Sequence, residues 1–136
     1  MQAFRAITIT IISVAISGCA SAPKMSCRGN EQRAVHDMLY LGTGKPNGVV
    51  TSEEWAKFLE TVVTPRFSDG LTVFEASGQW RDSSGTIIRE STHVLQLVHP
   101  DDPASEKSVI EIAASYKTQF QQEAVLRVRK SACVTF

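Results

Sequence analysis

A helix fixed at both ends by its own side chains restricts this fold more than any other feature. Thr51-Ser52-Glu53-Glu54 has the spacing of a capping box, in which the Thr51 hydroxyl accepts from the Glu54 amide while the Glu54 carboxylate reaches back to the Thr51 amide. Val50 and Trp55 sit where a hydrophobic staple needs them. Trp55, Phe58, Leu59, Val62 and Val63 recur at i, i+3, i+4, i+7 and i+8, which makes one buried face. The stripe stops at Thr64-Pro65, because Pro65 lacks an amide hydrogen and restricts the residue before it. A helix with one apolar stripe must pack on a second layer, so its flanks decide the fold class.

Those flanks read as strands. Ala34 to Leu41 places Val35, Leu39 and Leu41 on one face and His36, Met38 and Tyr40 on the other, the two-sided pattern of a central strand. Gly42 to Gly48 reads as a flexible loop. After the turn Ser68-Asp69-Gly70, Leu71 to Trp80 forms a second strand, Asp82-Ser83-Ser84-Gly85 a hairpin loop, and Thr86 to Val98 a longer third strand. Within it, Glu90-Ser91-Thr92 breaks the apolar pattern and marks either a bulge or the start of a better-buried half. Asp102 followed by Pro103 is an N-cap with Pro at the first helical position, and Val109, Ile112, Ala113, Tyr116 and Phe120 line one face of the helix beyond it. Ala124 to Arg129 alternates as a short last strand. The order βαββαβ predicts an α+β, ferredoxin-like domain: a four-stranded antiparallel sheet, strand order 4-1-3-2, with both helices on one face. The other face then meets water or a partner, and its mixed apolar content predicts a partner, either a second copy of the chain or another envelope protein, the alternative being that the segment before the domain or the Glu90 region folds across it.

Ahead of this domain, Arg5 precedes an apolar run from Ala6 to Ile16. Eleven residues rising about 1.5 Å each cover roughly half of a ~30 Å hydrocarbon core, so the segment reads as a cleavable leader. It is followed by Ile16-Ser17-Gly18-Cys19, which resembles the lipobox of bacterial lipoproteins. That resemblance implies a signal peptide over residues 1–18 and acylation, palmitate included, at Cys19. A tether over 19–29 and a single domain over 30–136 complete the organisation, and Ala20 after the cysteine implies the outer membrane, facing the periplasm. An ordinary secretory signal with a chance cysteine is the competing reading.

Three cysteines are present. With Cys19 lipidated, Cys27 and Cys133 remain in an oxidising compartment and read as a disulfide, two free thiols being the alternative. In the 4-1-3-2 sheet the last strand runs beside the first, so Cys27 just before one and Cys133 just beyond the other are brought together. Closing so long a loop stabilises a fold by about 4 to 5 kcal/mol in the chain-entropy model.

Trp55 with Phe58-Leu59, the run Val63-Thr64-Pro65-Arg66-Phe67-Ser68-Asp69-Gly70-Leu71-Thr72-Val73, Gly78-Gln79-Trp80-Arg81, His99, Tyr116-Lys117, Phe120 and Val125-Leu126-Arg127-Val128, with Cys27 and Cys133, resemble a bacterial secreted and lipoprotein family catalogued as a domain of unknown function. The resemblance covers nearly the whole mature chain and implies no catalytic residue. Ser68 stands where that family usually has Pro, which leaves the turn less rigid.

Chemistry is sparse in the remaining motifs. Lys plus Arg and Asp plus Glu both total 14, and loss of Arg5 with the leader leaves a charge of −1, which provides no basic field for nucleic acid. Gly42-Thr43-Gly44-Lys45 lacks the spacing of a phosphate loop, and Pro46 follows the lysine. His93, His99, Asp101 and Asp102 have no zinc-site spacing, so no metal or cofactor is expected. Arg66, Gln79, Trp80, Arg81 and His93 are hardest to assign to packing. They are the candidate ligand-binding set, with Arg66 or Arg81 for an anion and His93 for proton exchange. Solvated or paired arginines, a core Trp80 and a surface His93 are the structural alternative. A lipid-anchored envelope protein acting as a non-catalytic binding or assembly module is the expectation. A small enzyme or ligand carrier with a sheet-face pocket of His93 and Arg66 or Arg81 is the other.

Overall fold

The computed structural model describes residues 25–136; the expected leader and the expected acylation site at Cys19 lie outside the described residues. The strands are β1 (Gln32–Gly42), β2 (Gly44–Lys45), β3 (Gly48–Val49), β4 (Thr72–Arg81), β5 (Ile87–His99) and β6 (Leu126–Val134). Helix α1 (Ser52–Phe58) runs on as one π-helical stretch, Leu59–Val63, and α2 spans Pro103–Phe120. The main sheet has the order β4-β5-β1-β6, every neighbour antiparallel, which is the expected 4-1-3-2 ferredoxin-like arrangement. Among the described residues no helix is long and apolar enough to cross a membrane.

Local signals set the helix ends. Both capping-box bonds of Thr51 and Glu54 form, at 3.2 and 2.8 Å. Asp102 Oδ1 accepts from the amides of Ala104 and Ser105 at 2.8 and 2.9 Å, with Pro103 opening α2. The apolar stripes of both helices meet one sheet face, where Phe58, Val63, Val109, Ile112 and Tyr116 pack fully buried on Leu39, Leu41, Leu95 and Leu97. Burying these groups is the main stabilising term of the fold.

At four points the structure refines these expectations. Gly42 to Gly48 is an ordered hairpin of β2 and β3, because Tyr116, Gln122 and Glu90 bond its backbone from outside. The β4–β5 register is unbroken from Thr72↔Gln96 to Arg81↔Ile87, so no bulge occurs at Glu90; what begins at Thr92 is the better-buried half. Strand β6 continues to Val134, so Cys133 lies inside it, opposite Arg33, rather than beyond its end. Asp37 sits between Val35 and Leu39 on the buried face and is itself fully buried. The Cys27–Cys133 disulfide forms, with Cα atoms 5.5 Å apart.

Candidate functional site

The sheet face away from the helices is hollowed beside the β4–β5 hairpin. Cross-strand pairs Gly42↔Thr92, Ala76↔Thr92 and Gly78↔Glu90 put small groups next to one another, while Tyr40, Trp80 and Leu126 stand around them. Strand alternation alone gives these positions a common face. The result is a cleft of about 270 Å³, closed at its rim by Gln122 and Ala124 between α2 and β6. Three glycines lie close against their neighbours: a Cβ on Gly42 or Gly44 would crowd the Glu90 carboxylate, and one on Gly78 would lie 2.5 Å from Thr92 Oγ1.

Glu90 is the charged group of this cleft. Its Oε1 accepts from the Trp80 indole at 2.7 Å, and its Oε2 accepts from the Gly44 amide at 2.6 Å. Both donors are neutral. The glycine segment carrying Gly44 is held from the core side by the Tyr116 hydroxyl, which donates to the Gly42 carbonyl at 2.9 Å, and by Gln122, which donates to the Gly44 carbonyl. Burial raises the Tyr116 hydroxyl above the ordinary phenol range, helped by the charges of Glu90 and Glu54, so it stays a donor.

A second polar cluster lies on the helix side. Arg127 donates to both oxygens of Asp37 at 2.7 Å and to both oxygens of Glu106 at 2.6 and 2.8 Å, tying β6 to β1 and α2. Arg129 bonds Glu106 and Asp101 at 2.8 and 2.6 Å. His99 Nε2 lies 2.9 Å from Asp37 Oδ2 and its Nδ1 lies 2.7 Å from the Pro100 carbonyl. Burial pushes the Asp37 carboxyl up, but the bonds from Arg127 and His99 outweigh it and hold the group below the usual carboxylate range. This network is saturated by its own members and acts as a brace.

The five candidate ligand-binding residues are not brought together. Trp80 and Gln79 line the cleft, although the Gln79 side chain is engaged by Arg89 at 3.0 Å. Arg66 instead donates to the Val62 carbonyl and to Glu111, at 2.7 and 3.3 Å, and closes the end of the first helix. Arg81 donates to the Gly85 carbonyl across the hairpin at 2.8 Å. His93 is neither a surface residue nor a cleft residue: it is 6% exposed and stacks on Trp55, ring centroids 4.3 Å apart and planes 6° from parallel. The reason is the period of two, which turns His93 inward with Leu95 and Leu97 while Glu90 and Thr92 face out. Glu90, Gly42, Gly78 and Tyr40 were missing from the set. Gly78 adjoining Gln79-Trp80 was the available signal, since a glycine inside a strand often marks close approach of another group.

The profile of the family described as "Protein of unknown function (DUF3574)" matches residues 36–136. The chain belongs to that family. Every cleft residue of this DUF3574 chain falls inside the matched span. In fold the chain is similar to a phage SAM lyase solved in complex with S-methyl-5'-thioadenosine, with 13% identity and a TM-score of 0.54 over 85% of this chain and 97% of that one. CutA from Synechococcus elongatus, complexed with Bis-Tris, shares 11% identity at a TM-score of 0.50, over 77% of this chain and 87% of that one. Such identities establish the common fold and nothing about ligand or chemistry. No curated protein matches the chain.

Proposed function

We propose that this protein is a lipid-anchored binding module of the bacterial envelope, attached through Cys19 to the outer membrane, and that it binds through the open face of its sheet. The observation that carries the binding site is the cleft hollowed by Gly42, Ala76 and Gly78 and walled by Tyr40 and Trp80. Concave, mostly apolar sites with a few fixed polar groups are where proteins hold small ligands. The cleft gathers one carboxylate and one phenol, while His93 and His99 lie on the helix side, which favours binding over proton transfer. Phe74, Val98 and Leu126, 44%, 40% and 62% exposed, border the same face and support contact with a second copy or another envelope protein.

The test is native mass spectrometry of protein released gently from its own envelope, wild type against Ala76→Leu, whose larger side chain fills the cleft. A bound small molecule on the wild type, lost in a variant with an unchanged thermal midpoint, is the expected result. A wild-type chain that carries nothing and is stabilised by no member of a metabolite panel overturns the reading.

A further inference from the structure

The cleft's charge specifies its ligand class further than its shape does. Glu54 is paired with Lys45, Glu106 with Arg127 and Arg129, and Glu111 with Arg66 and Lys107. Glu90 has no ion-pair partner among the described residues, and its two hydrogen bonds come from an indole and a backbone amide. Two fixed neutral donors hold this half-buried carboxylate in place without setting a cation beside it. Around it stand the aromatic rings of Tyr40 and Trp80, together with Ala76 and Leu126. Faces of Trp and Tyr attract cations, and they do so most effectively for cations that shed little hydration.

We infer that the cleft takes a small soluble organic cation of the quaternary ammonium type, with Glu90 as its counter-ion and Trp80 and Tyr40 as aromatic walls. The inference rests on the reading of the cleft as a binding site. An anion would meet the Glu90 charge unscreened, and a neutral apolar ligand would leave that charge unpaired under it. A primary ammonium would give up more hydration, of which the bond to Glu90 returns only a part where the walls are the rings of Tyr40 and Trp80 with Ala76 and Leu126. The volume of about 270 Å³ sits just below the range of drug-sized pockets and suits a molecule of a few heavy atoms.

The experiment is calorimetric titration of the purified intact protein with choline and, in parallel, with dimethylbutanol, its neutral carbon isostere. Choline is expected to bind about tenfold or more tightly than the isostere, as desolvated cation recognition requires. The gap should close in Glu90→Gln and narrow in Tyr40→Leu. Tyr40→Leu leaves both Glu90 bonds intact, so it reports on the wall even if Glu90→Gln unsettles the hairpin. Equal affinity for choline and isostere in the wild type overturns the cation and leaves the cleft a binding site. Failure of both probes to bind also overturns it, while the native mass spectrum judges the cleft separately. Flotation of the unacylated Cys19→Ala chain with phosphatidylcholine vesicles, lost when Glu90→Gln is added, would assign the cation to a lipid headgroup and overturn the soluble ligand.

Discussion

The carboxylate of Glu90 occupies the space that a side chain on Gly42 would fill, two strands meeting there because one of them has no Cβ. That relationship makes the cleft. Gly42→Ala should push Glu90 off its bonds to Trp80 and Gly44, costing about 1 to 3 kcal/mol because the Gly44 amide is left without its acceptor. Urea denaturation measures the loss, and a change in tryptophan emission of the folded variant that is absent when Trp80→Phe is added reports the displaced carboxylate. An unchanged midpoint and spectrum would show that Glu90 does not depend on that glycine.

Arg127→Met should destabilise the fold by about 3 to 5 kcal/mol, because a fully buried Asp37 would lose the guanidinium that offsets its burial. The double variant Asp37→Leu with Arg127→Met should recover much of this, since the buried carboxylate is gone with its partner and Glu106 keeps Arg129. Equilibrium unfolding of these two variants and of Asp37→Leu alone gives the coupling directly, and a loss under about 1 kcal/mol in Arg127→Met would contradict it.

Acid should weaken the protein in two steps. Burial lowers the His93 pKa below its usual value, with Glu75 opposing weakly, so the unfolded chain takes up that proton first and stability drops as pH falls below about 6.5. Asp37, held low in the folded state, adds stability that is present above about pH 4 and lost as the pH falls below it. His93→Phe keeps the stack on Trp55 and should flatten the limb between pH 7 and pH 5 while leaving the lower one. Denaturation midpoints at pH 7, 5 and 3.5 separate the two.

Removing the disulfide by Cys27→Ser with Cys133→Ser should cost at most about 4 to 5 kcal/mol, the chain-entropy figure for a loop of this length. Thiol labelling of the denatured, unreduced protein should find neither Cys27 nor Cys133 free; two labelled thiols would refute the bridge.

Acylation at Cys19 is tested by detergent-phase partition. The wild-type protein should enter the detergent phase, and Cys19→Ala should abolish lipid incorporation and release or stall the precursor. A wild-type mature chain that starts elsewhere and stays in the aqueous phase would refute the anchor.

Much of the framework is legible in the amino-acid sequence because its signals are short-range. The Thr51–Glu54 box and the Asp102-Pro103 cap act across three or four residues, and the helical and strand periods each repeat within a dozen. Even the sheet order followed, since βαββαβ leaves few handed arrangements and the cysteines agreed with one of them. The candidate site was legible only through Trp80 and Gln79. Arg66 and Arg81 answered local carbonyls, and His93 fell on the inner face by strand parity, with Trp55 waiting on α1.

By itself the sequence determined the element order, the helix ends and the pairing of Cys27 with Cys133, because each depends on chain connectivity or on neighbours a few positions away. Only the tertiary structure decided that Glu90 rests against Gly42 and Gly44, that Gly78 faces Thr92, and that Arg127 neutralises Asp37. Those contacts join residues 14 to 90 positions apart through cross-strand register and helix docking, and a shift of one residue would send each side chain to the opposite face.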